Sequence, residues 1–247
     1  MINDDRANSS WVARHLLDLN ETCRKIILSS EANNLSHLGG VLRLDLDIGV
    51  WEERLKGRPE TKQLGDARRE LAFAIFAAST GLYRLAYAGL RVFLELSFAA
   101  VYFSANELHR RQWIGDRKDF SWTSALDMES GVLSKSFVRE FTPEAVDDAA
   151  QYARVAAQCY RHCSQFVHGK DVTTGLLPQS LAYSSEIVTD WAVSGRHAAE
   201  SVLYLLYCRY SAEIFDLEDT EVCNTLEHSF SHLRSIRSLL GLPVEGV

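Results

Sequence analysis

Arg161 and His168 stand seven residues apart in the run RHCSQFVH, a spacing that suits work on a phosphodiester. On an α-helix that step returns to within about 20° of its starting direction and climbs about 10 Å, so both side chains can converge on one group. A guanidinium holds a phosphate bidentately and neutralises charge building up on it, and an imidazole moves a proton near neutral pH. Those two roles suffice for metal-free RNA cleavage, in which a ribose 2′-hydroxyl attacks the adjacent phosphorus. The chemistry requires a helix, a face open to substrate and an entrance for a sugar–phosphate backbone.

The helix is legible around the pair. Thr142, Pro143 and Glu144 read as a helix start, with a hydroxyl cap, a proline at the first position and a carboxylate at the positive end of the dipole. Gly169 can take the left-handed conformation that ends the helix after His168. Along it Arg154, Gln158, Arg161, Gln165 and His168 make one polar ridge among Ala, Val, Tyr, Cys and Phe. A second ridge, Arg84, Ala88, Arg91 and Glu95, lies in the most hydrophobic stretch, Asp66 to Phe103, expected as one long helix against Pro143 to His168. The plain account is a ridge turned to water, or for Arg91 an ion pair with Glu95 four residues on. The other is an anion site shared by both helices, and the sequence leaves both open.

Elsewhere the spacing predicts an amphipathic helix from Ser9 to Leu28, capped by Ser9 or Ser10. Leu42, Leu44, Leu46 and Ile48 alternate with Arg43, Asp45 and Asp47, a period of two that suggests an extended segment or a short helix. Short helices are expected at Glu107 to Trp113 and Trp122 to Leu133. Two longer ones are expected at Ser185 to Phe215 and Thr220 to Leu240, the last capped by Asp219 or Thr220. With no internal repeat and no Gly/Ser or Pro-rich linker, a single all-α domain is preferred over two, with residues 1–65 a helical or irregular extension of a 66–247 helical bundle in one compact unit.

Composition narrows the class. A hydrophobic share of 47% against 24% charged residues excludes disordered and low-complexity chains, and only four prolines interrupt the helical patterns. The net charge of −7 makes any nucleic-acid contact a local patch working against the field of the whole molecule. Arg84, Arg91 and Glu95 break the apolar stretch, so a core helix is expected there and no membrane association. Five cysteines form no disulfide framework, and MINDDRANSSW has no apolar signal region, which together point to the cytosol.

Cys159, His162 and Cys163 would put three soft ligands on one helical face, but no second pair completes a zinc set; buried thiols are expected, and neither metal nor cofactor. Asp45 and Asp47 suit magnesium less well than a solvated face. Between residues 107 and 122 the bases His109, Arg110, Arg111, Arg117 and Lys118 mix with Trp113, Phe120 and Trp122, a combination suited to nucleic acid. Glu107, Asp116 and Asp119 dilute it, and packed aromatics beneath a charged loop are the favoured reading. Neither a phosphate-cradling GxxxxGK[ST] nor a GxGxxG occurs.

The run RHCSQFVH resembles the signature of the HEPN superfamily: an arginine, usually followed by Asn, Asp or His, then a histidine after a gap of four to six residues. Here His162 follows the arginine and the gap is six. SQFVHGK, Ser164 to Lys170, and LRVFLE, Leu90 to Glu95, are similar to the motif's edge and to its partner helix, and the resemblance covers at most residues 66–215. It implies a HEPN-like helical bundle and a metal-independent endoribonuclease of a bacterial toxin–antitoxin or antiviral defence system, acting on RNA as a homodimer whose two motifs meet in one cleft. By the same resemblance Arg161 and His168 are catalytic and His162 orients or supports them. Arg84, Arg91, Glu95 and Lys170 are expected to contact substrate, and a cognate regulatory protein is a further expected partner. The resemblance also admits a bundle without nuclease activity that serves as an interaction scaffold.

Overall fold

The computed structural model describes residues 10–216 and 218–244, and those residues are helical with no strand among them. The first helix, α1 (Trp11–Arg54), is capped by Ser10, whose side chain accepts from the backbone N–H of Ala13. It takes in the Leu42 to Ile48 alternation expected as an extended segment or a short helix. Leu44 and Ile48 point inward with Val41 and Trp51, at helical spacing, while Leu42 and Leu46 face outward. Alternation and helical period coincide over so short a run, and the buried face decides. α1 bends at Asn34, whose backbone leaves helical geometry (φ −127°, ψ 16°). The buried Asn34 amide donates to Thr189 Oγ1 (3.0 Å) and accepts from the Tyr183 hydroxyl (2.6 Å), tying the bend to the segment opening α9 (Ser185–Ile214).

The apolar stretch expected as one helix is a hairpin, α2 (Thr61–Ser79) and α3 (Tyr83–Ala105). Gly81 takes φ +84° between them, and the Leu82 N–H reaches back to the Ala77 carbonyl (2.9 Å), the hydrogen bond of a left-handed helix end. Both helices look apolar on many sides because they bury faces against each other as well as against the rest of the bundle. α3 is long and apolar enough to cross a membrane by length and composition; here Phe93, Leu94 and Phe98 are fully buried in the core.

After α4 (Glu107–Ile114), the segment expected as a helix from Trp122 to Leu133 is a single turn, α5 (Trp122–Ala125), followed by a loop around Asp127. The Asp127 Oδ1 accepts from the N–H groups of Glu129 and Ser130 and from the Ser130 hydroxyl, offering the backbone an alternative to the helix. α6 (Lys135–Phe141) leads to a 3₁₀ turn at Pro143–Ala145 and then α7 (Val146–Val167). Thr142 caps nothing: its buried hydroxyl pairs with Ser211 Oγ (2.8 Å) on α9. The far end of α7 is as expected, with Gly169 at φ +63° and the Lys170 N–H on the Gln165 carbonyl (3.2 Å). α8 (Asp171–Thr174) is one turn. The last expected helix is two, α10 (Thr220–Phe230), capped by Asp219, and α11 (Arg234–Leu239).

One hydrophobic cluster joins Val41, Ile48 and Trp51 of α1 to Leu71 of α2, Phe93 of α3, Ala156 of α7 and Leu203 of α9. The second half of α1 is therefore core, so residue 65 does not separate an extension from the bundle. The first half differs: Trp11, Leu16 and Leu17 are exposed, and the first buried residue of α1 is Ile26.

Candidate functional site

α7 lies with its buried face, Ala149, Tyr152, Ala156, Cys163 and Phe166, against α3 and α9. The polar ridge is the opposite face: Arg154, Gln158, Arg161 and His168 are exposed and Gln165 is half-buried. Neither Arg161 nor His168 has a side-chain hydrogen bond or ion pair among the described residues, so both are available to a ligand. Arg161 lines an open groove of about 520 Å³ whose other walls include Trp122, Met128, Tyr160 and Ser164. Asp127 stands in the same groove with Oδ1 held by its own loop.

The second ridge is spent differently. Arg91 Nη2 donates to the Tyr160 hydroxyl (2.7 Å) and to Glu95 Oε1 (3.2 Å), Tyr160 donates to the same Glu95 oxygen (2.7 Å), and the Arg91 guanidinium lies 4.8 Å from the Tyr160 ring centre. This closed triangle pins α3 to α7. Burial pulls the Arg91 pKa down, but the Tyr160 hydrogen bond and the Glu95 charge outweigh it, and the net shift is upward. One donor, Arg91 Nε, is buried without a partner. Arg91 and Glu95 thus border the Arg161 groove across Tyr160 and do not open into it.

The other expected site residues are dispersed. Consecutive helical residues point about 100° apart, and His162 accordingly leaves Arg161 for the α9 side of α7. There its Nε2 meets Asp190 Oδ2 (2.8 Å), and its ring stands edge-on to Tyr87 (5.6 Å) and Phe166 (5.3 Å). The Tyr87 hydroxyl donates to the same Asp190 oxygen (2.5 Å), so His162 belongs to a structural network and does not orient Arg161 or His168. Arg84 is exposed at the end of α7, where a Cβ on Gly169 would lie 3.9 Å from its guanidinium, a cation at the negative end of the helix dipole. Arg84 and Asp171 also wall a recess of about 750 Å³ between the α2–α3 turn and residues 171–181. Lys170 is exposed beside it, its carbonyl opening α8.

Comparison with known protein families, characterised proteins and solved structures finds no match. The candidate site therefore stands on its own geometry: two unpaired basic side chains on one exposed stripe, with a groove on one flank.

Cys159 and Cys163 are buried thiols; the Cys163 thiol's own hydrogen bond to Cys159, whose S–H goes to the Ser194 carbonyl, and burial push the Cys163 thiol up, which keeps it protonated. Asp45 is paired with Arg68 (3.0 Å) and Asp47 with Arg43 (3.1 Å), while the buried second oxygen of Asp47 has His228 Nδ1 at 3.4 Å and no hydrogen bond. Sequence reasoning missed Tyr160, which passes for one more apolar residue of α7, and Asp190, an acid on α9 beside buried Trp191. A lone acid next to fully buried residues was the available signal for Asp190; nothing local marks Tyr160.

Proposed function

We propose that the protein is a HEPN-like, metal-independent endoribonuclease acting in the cytosol as a homodimer, with Arg161 and His168 as its catalytic pair. One observation carries the reading: these two basic side chains share an exposed face two turns apart, unpaired, and the arginine opens into a groove. Arg161 would clamp the scissile phosphate and offset charge on its non-bridging oxygens. His168 would take the proton of the 2′-hydroxyl as that oxygen bonds to phosphorus. The bond to the 5′-oxygen then breaks, a protonated imidazole supplies the leaving oxygen with its proton, and a 2′,3′-cyclic phosphate and a 5′-hydroxyl result. One His168 cannot be base and acid in the same step, and the second would come from the α7 of another copy.

The test is cleavage of labelled RNA by purified protein in a metal chelator, beside Arg161→Ala and His168→Ala. The expected outcome is cutting by the wild type and a loss of at least about 100-fold in each variant, the range of a positioned proton-transfer group. Full activity in His168→Ala would sink the proposal.

A second reading has its own observation. The first half of α1 exposes Trp11, Val12, Leu16 and Leu17 away from the bundle, a surface suited to a protein partner, including a cognate regulator. On this reading the α7 stripe is solvated and the molecule is a helical interaction scaffold. Absence of cleavage in every preparation favours it.

A further inference from the structure

We infer that the cavity enclosed by α3, the α4–α5 segment and α7 is a subsite for an extruded guanine base of the RNA, next to the phosphate position at Arg161. The inference rests on the ribonuclease reading and names the substrate preference that reading leaves open. The cavity has a volume of about 360 Å³, within the range of small-ligand clefts, and is lined by Glu95, Trp113, Asp119, Phe120, Trp122 and Tyr160. Trp122 and Tyr160 also line the Arg161 groove, so the two depressions lie on either side of one aromatic pair, stacked with ring centres 4.3 Å apart. A nucleotide with its phosphate on Arg161 can reach the cavity with its base.

With the Tyr160 faces covered by Arg91 and Trp122, Trp113 and Phe120 supply the stacking surface that any base can use. The polar groups make the choice. Glu95 Oε2 accepts no hydrogen bond and Asp119 makes none among the described residues, so the cavity offers carboxylate oxygens, which only accept. Guanine presents two adjacent donors, N1–H and the N2 amine, on its Watson–Crick edge. Adenine and cytosine set a ring-nitrogen acceptor beside their amine, and uracil has one donor between two carbonyls. The two carboxylates therefore fit guanine's adjacent donors and repel the acceptors on the edges of the other three, while the wall's N–H donors are the indoles of Trp113 and Trp122.

A small organic cation is the competing occupant for aromatic rings with carboxylates. Two observations disfavour it. Tyr160 already carries the Arg91 guanidinium at 4.8 Å and Trp122 at 4.3 Å; these cannot share a face, so neither face is free. Arg91 also neutralises Glu95 at the cavity wall.

Calorimetric titration of the full chain with 5′-GMP, AMP, CMP, UMP and tetramethylammonium tests the subsite. GMP is expected to bind roughly tenfold or more tighter than UMP, in line with a carboxylate reading paired donors. Asp119→Asn, at an exposed position, and the shape-conserving Glu95→Gln are expected to reduce that ratio, and Trp113→Ala to weaken all four nucleotides. Equal affinities, a ratio unchanged in both carboxylate variants, or binding of tetramethylammonium in place of GMP overturns the inference. Guanine preference in a protein that cuts no RNA defeats the ribonuclease reading alone, and cutting without base preference defeats the subsite alone.

Discussion

Asp190 receives hydrogen bonds from two side chains outside its own helix, His162 of α7 and Tyr87 of α3, and so joins three helices at one carboxylate oxygen. The His162 hydrogen bond chiefly, with Tyr87 helping and partial burial opposing, holds its carboxyl below the ordinary 3.8. A folded pKa below the unfolded one stabilises the protein at pH values above 3.8, and the contribution is lost as pH falls through the lower, folded value. The side chain is 54% exposed, so solvent screens much of the effect. Asp190→Asn is expected to lower stability at pH 7 by about 1 kcal/mol or less, with the difference from wild type shrinking on acidification below 3.8. Urea unfolding at several pH values checks both parts; a difference that grows in acid contradicts the assignment. Arg161 and His168 lie at the other extreme, exposed and unpaired, so their removal should leave unfolding unchanged within about 0.5 kcal/mol. Lost cleavage in those variants would then be lost chemistry.

At the scale of the element, α1 behaves as two helices in one. From Val41 to Trp51 its inward face is buried, and the Trp51 indole donates to Thr225 Oγ1 (2.9 Å) on α10. From Trp11 to Lys25 none of its residues is buried. Trp51→Ala is expected to destabilise by about 3–5 kcal/mol, chiefly through the cavity, with the lost indole hydrogen bond adding to it while Thr225 keeps its bond to the Val222 carbonyl. Leu16→Ala in the same helix should change stability by less than about 0.5 kcal/mol. Thermal or urea unfolding of the pair separates them, and a large loss in Leu16→Ala would mean that this half packs against a partner in solution. The other elements show how local the legible signals are. Gly169 ended α7 as expected because a left-handed residue after the last turn needs only its neighbours. The break at Gly81 was hidden because apolar residues continue on both sides, and only packing shows that they belong to different faces. Trp122 to Leu133 has the composition of a helix, yet the Asp127 carboxylate diverts its backbone into a loop after one turn.

For the whole molecule, the two-copy cleft is the assumption with the broadest consequences. A net charge of −7 opposes RNA overall, and doubling the Arg161 and His168 stripe across a two-fold axis would concentrate basic groups in one place. Light scattering at micromolar concentration is expected to give twice the 27.8 kDa mass of the chain. A monomer that still cleaves RNA would leave Arg161 and His168 standing and remove the shared cleft.

Helical class, the C-terminal end of α7 and the existence of two polar stripes were determined by the residues alone, because period and caps are set within a few turns of the chain. The fate of each stripe was not. Arg91 and Arg161 occupy equivalent places on similar ridges, but Tyr160 and Glu95 close over the first and leave the second open. His162 adjoins Arg161 in sequence and faces another helix in space. Which face of a helix meets solvent depends on the helices packed around it, and those come from distant parts of the chain.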